Sequence, residues 1–503
     1  MQEKRNYRWW VLIALAIGLL AVGLDLTILN LALPTLAADF HSTSSELQWY
    51  ADAYTLVFAA ALLPAGLFGD RWGRKKLLLA GLLLFGGASL ICAYAPSSAV
   101  LIAGRALLGL GAALIVPMSM AVIPVLFEEE ERSKAIGVWV MSNAIGIPLG
   151  PIAGGWLLNH FSWGSIFLIN VPLVAIALIA VTILLKESRN TSQSRIDYAG
   201  ILLSSLGLIS LTYGVIKAGE NGWGDLLALA TILAGVVLLA GFIYWEGRIT
   251  YPLVSSALFR SRGFTWGTIM ATLISFAMFG LLFILPQYFQ IAQGTDALGA
   301  GLRLLPLIGG LLIGSKITEK LLPRFGASSV FAIGFAFLAA GLAIGAFSAV
   351  GDNYSWTVIW VVAAGLGIGF VLPTAMDISM AALTAEQSGV GSALIMAMRN
   401  VGGTLGVALL GTVLSTSYRG KLELSGVPDG MMDEVSRSAS AGASAAIKQQ
   451  SFELLHTVQE AFVYGMNHLL WICAGIAMLG ILMAVVFMRL KPEQAHSDKG
   501  IEL

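Results

Sequence analysis

Between Val11 and Leu33 the chain runs for 23 residues with one charged side chain, Asp25. At about 1.5 Å per residue such a run reaches roughly 34 Å as a helix, enough to cross a bilayer core. In hydrocarbon every backbone N–H and C=O has to be paired within the segment, so a run of this kind is a membrane-spanning helix. Comparable runs fill the chain, at residues 11–33, 48–69, 77–95, 99–124, 136–158, 165–185, 198–217, 226–245, 264–289, 298–314, 329–349, 356–380, 391–416 and 463–488. Over 503 residues the apolar share is 57% and the charged share 12%, about half the charge of a soluble domain. The sequence therefore predicts an all-α protein of fourteen spans, embedded in a lipid bilayer along nearly its whole length.

Where the charges sit matters more than their sum, which is zero and implies no steering toward nucleic acid. Of the 29 Lys and Arg, 21 fall between spans on the side of the N-terminus, 5 on the opposite side, and Arg105, Arg303 and Arg399 within spans. The positive-inside rule then predicts both termini in the cytoplasm of a bacterial-type cell, around a multi-pass protein of the cytoplasmic membrane. Lys4, Arg5 and Arg8 before the first run resemble a signal peptide. That run is too long and lacks a small-residue cleavage site, so it reads as an uncleaved anchor. Cys92 and Cys473 fall in apolar runs as small buried hydrophobes.

Most connections are short. The link from Glu246 to Arg262 is longer, and 417–462 is the one large polar insert, on the external side. Met431, Val435, Ala439, Ile447, Phe452, Leu455 and Val458 recur there at roughly helical spacing, which predicts either short helices over the outer mouth or a mobile tether. GLFGDRWGRKK (Gly66–Lys76) is echoed by GSKITEKLLPRFG (Gly314–Gly326) in glycine and basic placement. Read as repeats, they divide the chain into a six-helix bundle (1–190), two linking spans with a cytoplasmic loop (191–262), and a second six-helix bundle carrying the insert (263–503). Transporters built that way hold substrate near the midplane between the bundles.

Asp25 lies in LDLTILNLALP (Leu24–Pro34) with Thr27 and Asn30, roughly 21 Å into its span, where a bare charge costs several kcal/mol. It is either a carboxylate that takes up a proton or a cationic substrate, or a structural acid bonded to Asn30 or to another helix. Asp52 follows in ELQWYADAYTL (Glu46–Leu56) beside Trp49, Tyr50 and Tyr54. Flanking rings suit a lipophilic cation, yet an acid in the early turns of a helix is also favoured by the dipole alone. Asp377, near the inner end of the twelfth span, is the third candidate; partial exposure to cytoplasmic water explains it equally well. Arg105 in GRALLGLGAALIVP (Gly104–Pro117) keeps its charge and needs a carboxylate or carbonyl partner. A partner that changes between states makes it part of a proton path; a fixed one makes it structural. Trp139 and Asn143 in the fifth span join the candidate pocket.

GIPLGPIAGG (Gly146–Gly155) sets Gly146, Gly150 and Gly154 four apart, with Gly155 adjoining and Pro148 and Pro151 interrupting the backbone ladder. Small residues at that spacing allow close helix approach and prolines allow bending, so a role in gating is expected beside the packing one. The loop residues Gly66, Asp70, Arg71, Gly73 and Arg74 either set topology or pair with neighbouring helices in one state and separate in another. GLGAA and GLGIG follow no strand, which excludes a dinucleotide loop.

Taken in order, these stretches resemble the major facilitator superfamily. Gly66–Lys76 is similar to its loop motif, Gly104–Pro117 to its fourth-helix arginine motif, and Gly146–Gly155 to its antiporter motif. Leu24–Pro34 and GSALIMAMRNVGGTLGVA (Gly391–Ala408) resemble signatures of the fourteen-helix drug:proton antiporter branch. WYADAYTLVFAA (Trp49–Ala60) and FSWGSIFLINVP (Phe161–Pro172) resemble quaternary ammonium and multidrug exporters. The resemblance implies roles for Asp25 and Asp52 in cation binding and protonation, and for Arg105 in proton transfer. One departure stands out: Ile395 and Met396 occupy a region where some exporters of dications carry acids, and Arg399 adds positive charge.

The expected function is proton-coupled efflux of amphiphilic, mainly cationic drugs or biocides by alternating access, with a dedicated exporter of one endogenous metabolite, antibiotic or lipid precursor as the alternative. The working unit is expected to be a monomer without cofactor or metal. An enzyme would need a nucleophile or metal constellation at membrane depth, and His41, His160, His456, His468 and His496 are scattered without ligand spacing. His468 reads as a packed core histidine.

Overall fold

The computed structural model of the chain describes residues 2–42, 44–189, 196–249, 252–384, 386–422, 432, 435–436 and 438–487, and every regular element among them is helical. The first spans are α1 (Gln2–Phe40), α2 (Ser44–Trp72), α3 (Arg74–Ala93), α4 (Ser98–Leu126) and α5 (Glu129–His160). A sixth is made of α6 (Ser165–Leu168) and α7 (Asn170–Leu184), and an inserted pair of α8 (Tyr198–Asn221) and α9 (Leu226–Glu246). After the short α10 (Ser256–Arg260) come α11 (Arg262–Gln287), ending in a π turn over Tyr288–Ala292, then α12 (Ala297–Arg303), α13 (Leu305–Gly345) and α14 (Tyr354–Ala381). The last are α15 (Ser388–Lys421), α16 (Ala439–Lys448) and α17 (Phe452–Phe487).

Counted as unbroken segments of described residues, 13 helices are long and apolar enough to cross a bilayer. The missing fourteenth span is inside α13, which Gly326 breaks at φ 71° and ψ 170°. The two arms run in opposite directions along α14: Gly310 meets Val362 and Gly314 meets Gly369, whereas Gly334 meets Phe370 and Gly341 meets Trp360. α13 is thus a hairpin of the tenth and eleventh predicted spans. Gly73, at φ 117°, makes the matching turn between α2 and α3. The two loops that echo each other in sequence each turn on a glycine in the left-handed region, where a side chain is strained.

Burial sorts the spans by place. The apolar window of α4 is 78% buried and that of α9 only 17%, so α4 is central and α9 turns Leu226, Leu233, Val237 and Ile243 outward, toward lipid. α8 ties the inserted pair to both halves of the chain. Ser205 Oγ donates to Ala60 O of α2 at 2.8 Å, and Trp223 Nε1, just beyond α8, donates to Thr412 Oγ1 of α15 at 2.9 Å.

α1 and α5 touch backbone to backbone. A Cβ on Gly146 would lie 2.8 Å from Gly23 Cα, one on Gly150 would collide with Thr27 Oγ1, and one on Gly154 would lie 2.8 Å from Ile28 Cγ1. The polar insert expected over 417–462 is shorter than the sequence suggests, because α15 runs on to Lys421 and α17 already begins at Phe452. Val435, Ala439 and Val458 face inward as their spacing predicts. Ile447 and Phe452 are exposed instead, since α16 ends at Lys448 and the chain turns before α17. Met431 lies outside the described residues.

Candidate functional site

Asp25 is fully buried on α1, and its partner is Arg105 on α4, with Nη1 2.5 Å from Asp25 Oδ2. Arg105 Nε donates to Tyr50 O at 2.8 Å, and the guanidinium carbon stands 4.7 Å from the centre of the Tyr54 ring. On the other carboxylate oxygen, Asn170 Nδ2 of α7 donates at 3.4 Å, and the same amide reaches Ser89 Oγ of α3 at 3.5 Å. The carboxylate is therefore held by two other helices, α4 and α7, with α3 bracing the Asn170 amide. Asn30 is not among its partners. Taking two charges out of water costs several kcal/mol each, and a pair survives only with such complete hydrogen bonding.

Beside this pair lies a central cavity of about 90 Å³. Its lining includes Tyr54, Phe58, Trp139 and Asn143 from the first half of the chain, and Phe279, Met396, Arg399 and Asn400 from the second. Trp139 is fixed by donation from Nε1 to Ser119 Oγ at 2.9 Å. Tyr54 is the shared wall: one side meets Arg105 and the other meets the cavity. A second, larger cavity of about 500 Å³ opens toward the side opposite the N-terminus, among Thr27, Asn30, Pro151, Gly155, Asn159, Gln290 and Asp296.

On the N-terminal side the halves are latched. Asp70 on α2 accepts from Arg74 Nη2 at 2.6 Å and Nε at 3.0 Å, and from the first amides of α15, Gly389 N at 3.0 Å and Val390 N at 2.9 Å. A carboxylate at a helix N-terminus meets unpaired N–H groups and the positive end of the dipole. Ser388 Oγ and Ser392 Oγ donate to Ala121 O and Pro117 O of α4, at 3.1 and 2.9 Å. A Cβ on Gly66 would press on Ala393, and one on Gly389 would collide with the Asp70 carboxylate. Arg71 is half-buried next to this latch.

The remaining candidates stand apart. Asp52 faces Lys217 and Glu220 of α8, where Lys217 Nζ donates to Gln48 Oε1 at 3.3 Å and to Glu220 Oε2 at 2.8 Å. Trp49 stacks on Tyr213 of α8, with ring centres 6.4 Å apart. Tyr50 and Tyr54 point to α4 instead, so the aromatic cage suggested by adjacency in sequence does not form around Asp52. Asp377 is half-buried and lines neither cavity. His468 is exposed beside Tyr464 with centres 4.4 Å apart, not packed in the core, because its face of α17 turns away from the other helices. Sequence reasoning missed Asn170, a lone amide in an apolar run, and left Arg399 unplaced. Both cysteines are buried and free, and no cluster of metal-ligating side chains occurs among the described residues.

The Major Facilitator Superfamily profile matches residues 15–407. The chain is 30% identical to the tetracenomycin C resistance and export protein of Streptomyces glaucescens, covering 98% of this chain and 94% of that one. It is 32% identical to the multidrug efflux pump LfrA of Mycolicibacterium smegmatis, over 91% and 92% of the two chains. Among solved structures, the human organic anion transporter MFSD10 superposes with a TM-score of 0.63 over 96% of this chain and 99% of that one; at 13% identity this likeness concerns the fold.

Proposed function

The chain belongs to the major facilitator superfamily, and from that premise we propose that it exports amphiphilic, aromatic-bodied drugs or biocides, cations among them, across the cytoplasmic membrane in exchange for protons. It is a multi-pass membrane transporter whose relatives are drug resistance and export proteins. The observation that carries the coupling is the Asp25–Arg105 pair, sealed from water and separated from the central cavity by Tyr54.

With both termini cytoplasmic, the Asp70 latch closes the inner side and the 500 Å³ cavity faces out. A proton delivered from outside to Asp25 removes the charge that holds Arg105 on that side. Arg105 is then left with the Tyr50 carbonyl and the Tyr54 ring, and any shift of Tyr54 changes the cavity wall. Substrate and proton thereby act on one side chain from its two faces. The membrane potential supplies about 2.3 kcal/mol per charge per 100 mV, sufficient without a nucleotide. The rings of Tyr54, Phe58, Trp139 and Phe279 offer faces to a delocalised cation, whereas Arg399 in the same wall opposes a bare one.

The test is Asp25→Asn in everted vesicles. Collapse of an imposed pH gradient on adding a lipophilic compound should vanish, while gradient-independent exchange of that compound persists, since Asn imitates the protonated acid. Uphill efflux at the wild-type rate would remove Asp25 from the mechanism. A second reading, a dedicated exporter of one metabolite or antibiotic, draws support from the relative named for a single antibiotic. A panel of unrelated amphiphiles separates the two: a dedicated exporter moves one of them.

A further inference from the structure

Arg105 and Arg74 are buried and Arg399 is half-buried, and the three differ in what neutralises them. Arg105 has Asp25 and Arg74 has Asp70. Arg399 has neither. It sits on α15 about 17 Å from the helix start at ~1.5 Å per residue, near mid-depth, where an ionised side chain is costly and retained for a purpose. Its Nε donates to Ser275 Oγ of α11 at 3.1 Å, its Nη1 meets the weak acceptor Met396 Sδ at 3.5 Å, and it forms no ion pair among the described residues.

Two further donors in the same lining lack partners. Asn400 Nδ2 and the Tyr54 hydroxyl are both buried with no hydrogen bond among the described residues, and both residues line the central cavity with Arg399. A buried donor left unpaired costs free energy, and guanidinium, amide and phenol together ask for oxygen acceptors, best of all an anionic group that a guanidinium can grip. Phe58, Phe279 and Val116 are among the other lining residues, beside Thr55 and Asn143, and would take an apolar body.

We infer that the central cavity selects amphiphiles carrying an acidic or strongly accepting oxygen group, a carboxylate or sulfonate on an aromatic body, with Arg399 as the specificity-determining residue and Asn400 and Tyr54 as co-donors. Zwitterions satisfy this site as well as the ring faces around it; esterified cations satisfy only the rings. The inference rests on the export reading only in taking this cavity as the substrate site.

A matched dye pair tests it: rhodamine 110, which has a free carboxyl, and its methyl ester rhodamine 123, a cation on the same ring system. Binding of each to the purified full-length protein is read by fluorescence anisotropy at one pH, and transport is read in proteoliposomes. The wild type should favour the free acid. Arg399→Gln should lower the acid-to-ester binding ratio at least about tenfold, the scale of one charge-assisted hydrogen bond. Asn400→Asp, which sets a carboxylate against Arg399, should do the same, and Arg399→Lys should restore part of the ratio. A wild-type preference for the ester overturns the inference. So does an equal loss of both dyes in Arg399→Gln together with an unmoved ratio in Asn400→Asp. Because the ratio is read without any gradient, a shifted ratio with no uphill transport would sink the export reading and leave Arg399 standing; coupled transport with an unmoved ratio would do the reverse.

Discussion

Replacing Asp70 by Asn should open the side of the molecule that carries the N-terminus. Four hydrogen bonds converge on this carboxylate, but only the two from Gly389 N and Val390 N cross from α2 to α15; the two from Arg74 stay within the α2–α3 corner. Only the crossing bonds are lost when the halves part, so only they weigh on the balance of conformations. Hydrogen bonds to a charged acceptor contribute about 1.5–3 kcal/mol each. Asn keeps one uncharged acceptor oxygen, so the variant should lose about 3 kcal/mol from the closed arrangement. A molecule closed roughly 99% of the time would then stand near an even balance. Nitroxides at Trp72→Cys and Thr384→Cys, both exposed positions flanking the latch, report the separation by pulsed electron resonance; the native cysteines are buried. The distance distribution should broaden to longer values in Asp70→Asn. Gly389→Ala should mimic it, because a methyl there collides with the carboxylate. Distributions that overlay the wild type in both variants would refute the latch.

Arg105→Gln should cost about 3–5 kcal/mol of stability by leaving Asp25 buried and unpaired, and adding Asp25→Asn should recover part of it, a non-additive cycle read by thermal unfolding in detergent. Gly150→Val should cost about 1–3 kcal/mol or more, because a side chain there strikes Thr27; a thermal midpoint equal to wild type would deny the close α1–α5 contact. Asp225, just outside the membrane part of α9, caps that helix by accepting from Ala228 N at 2.8 Å, and this bond, with the Asn221 amide behind it, holds its carboxyl below the usual carboxylate range. A depressed folded-state pKa stabilises above the unfolded value and is lost as pH falls through the folded one. Hydrogen exchange over 226–230, corrected for intrinsic rates, should therefore speed up at pH below about 4, and Asp225→Ala should remove that dependence.

The spans were legible because a bilayer demands some 20 apolar residues at a time, and such runs survive in the sequence whatever they pack against. Their pairing was not. That Arg105 needs an acid follows from its charge; that the acid is Asp25, 80 positions earlier, depends on how α4 crosses α1. Asp52 shows the opposite failure. Tyr50 and Tyr54, two positions to either side, lie on another face of α2, since each residue turns a helix by about 100°, while Trp49 shares the side toward the inserted α8, which supplies the surroundings of Asp52. Trp139 and Asn143 line the central cavity, and Arg399, visible in the sequence as an anomaly without a place, lines it with them. The tenth and eleventh spans were separable in sequence because a charged loop interrupts them, although their helices join without a gap at Gly326.

The glycine seam between α1 and α5 limits the routes open to water. Gly23, Leu24, Thr27 and Ile28 are pressed against α5, and Asp25 points away from that seam, about 60–160° round the same helix from its members. α1 cannot rotate its acid into the large cavity without prising apart two touching main chains. Among the described residues the oxygens of Asp25 are covered by Arg105 of α4 and Asn170 of α7, so water that reaches the carboxylate has one of those two side chains to displace.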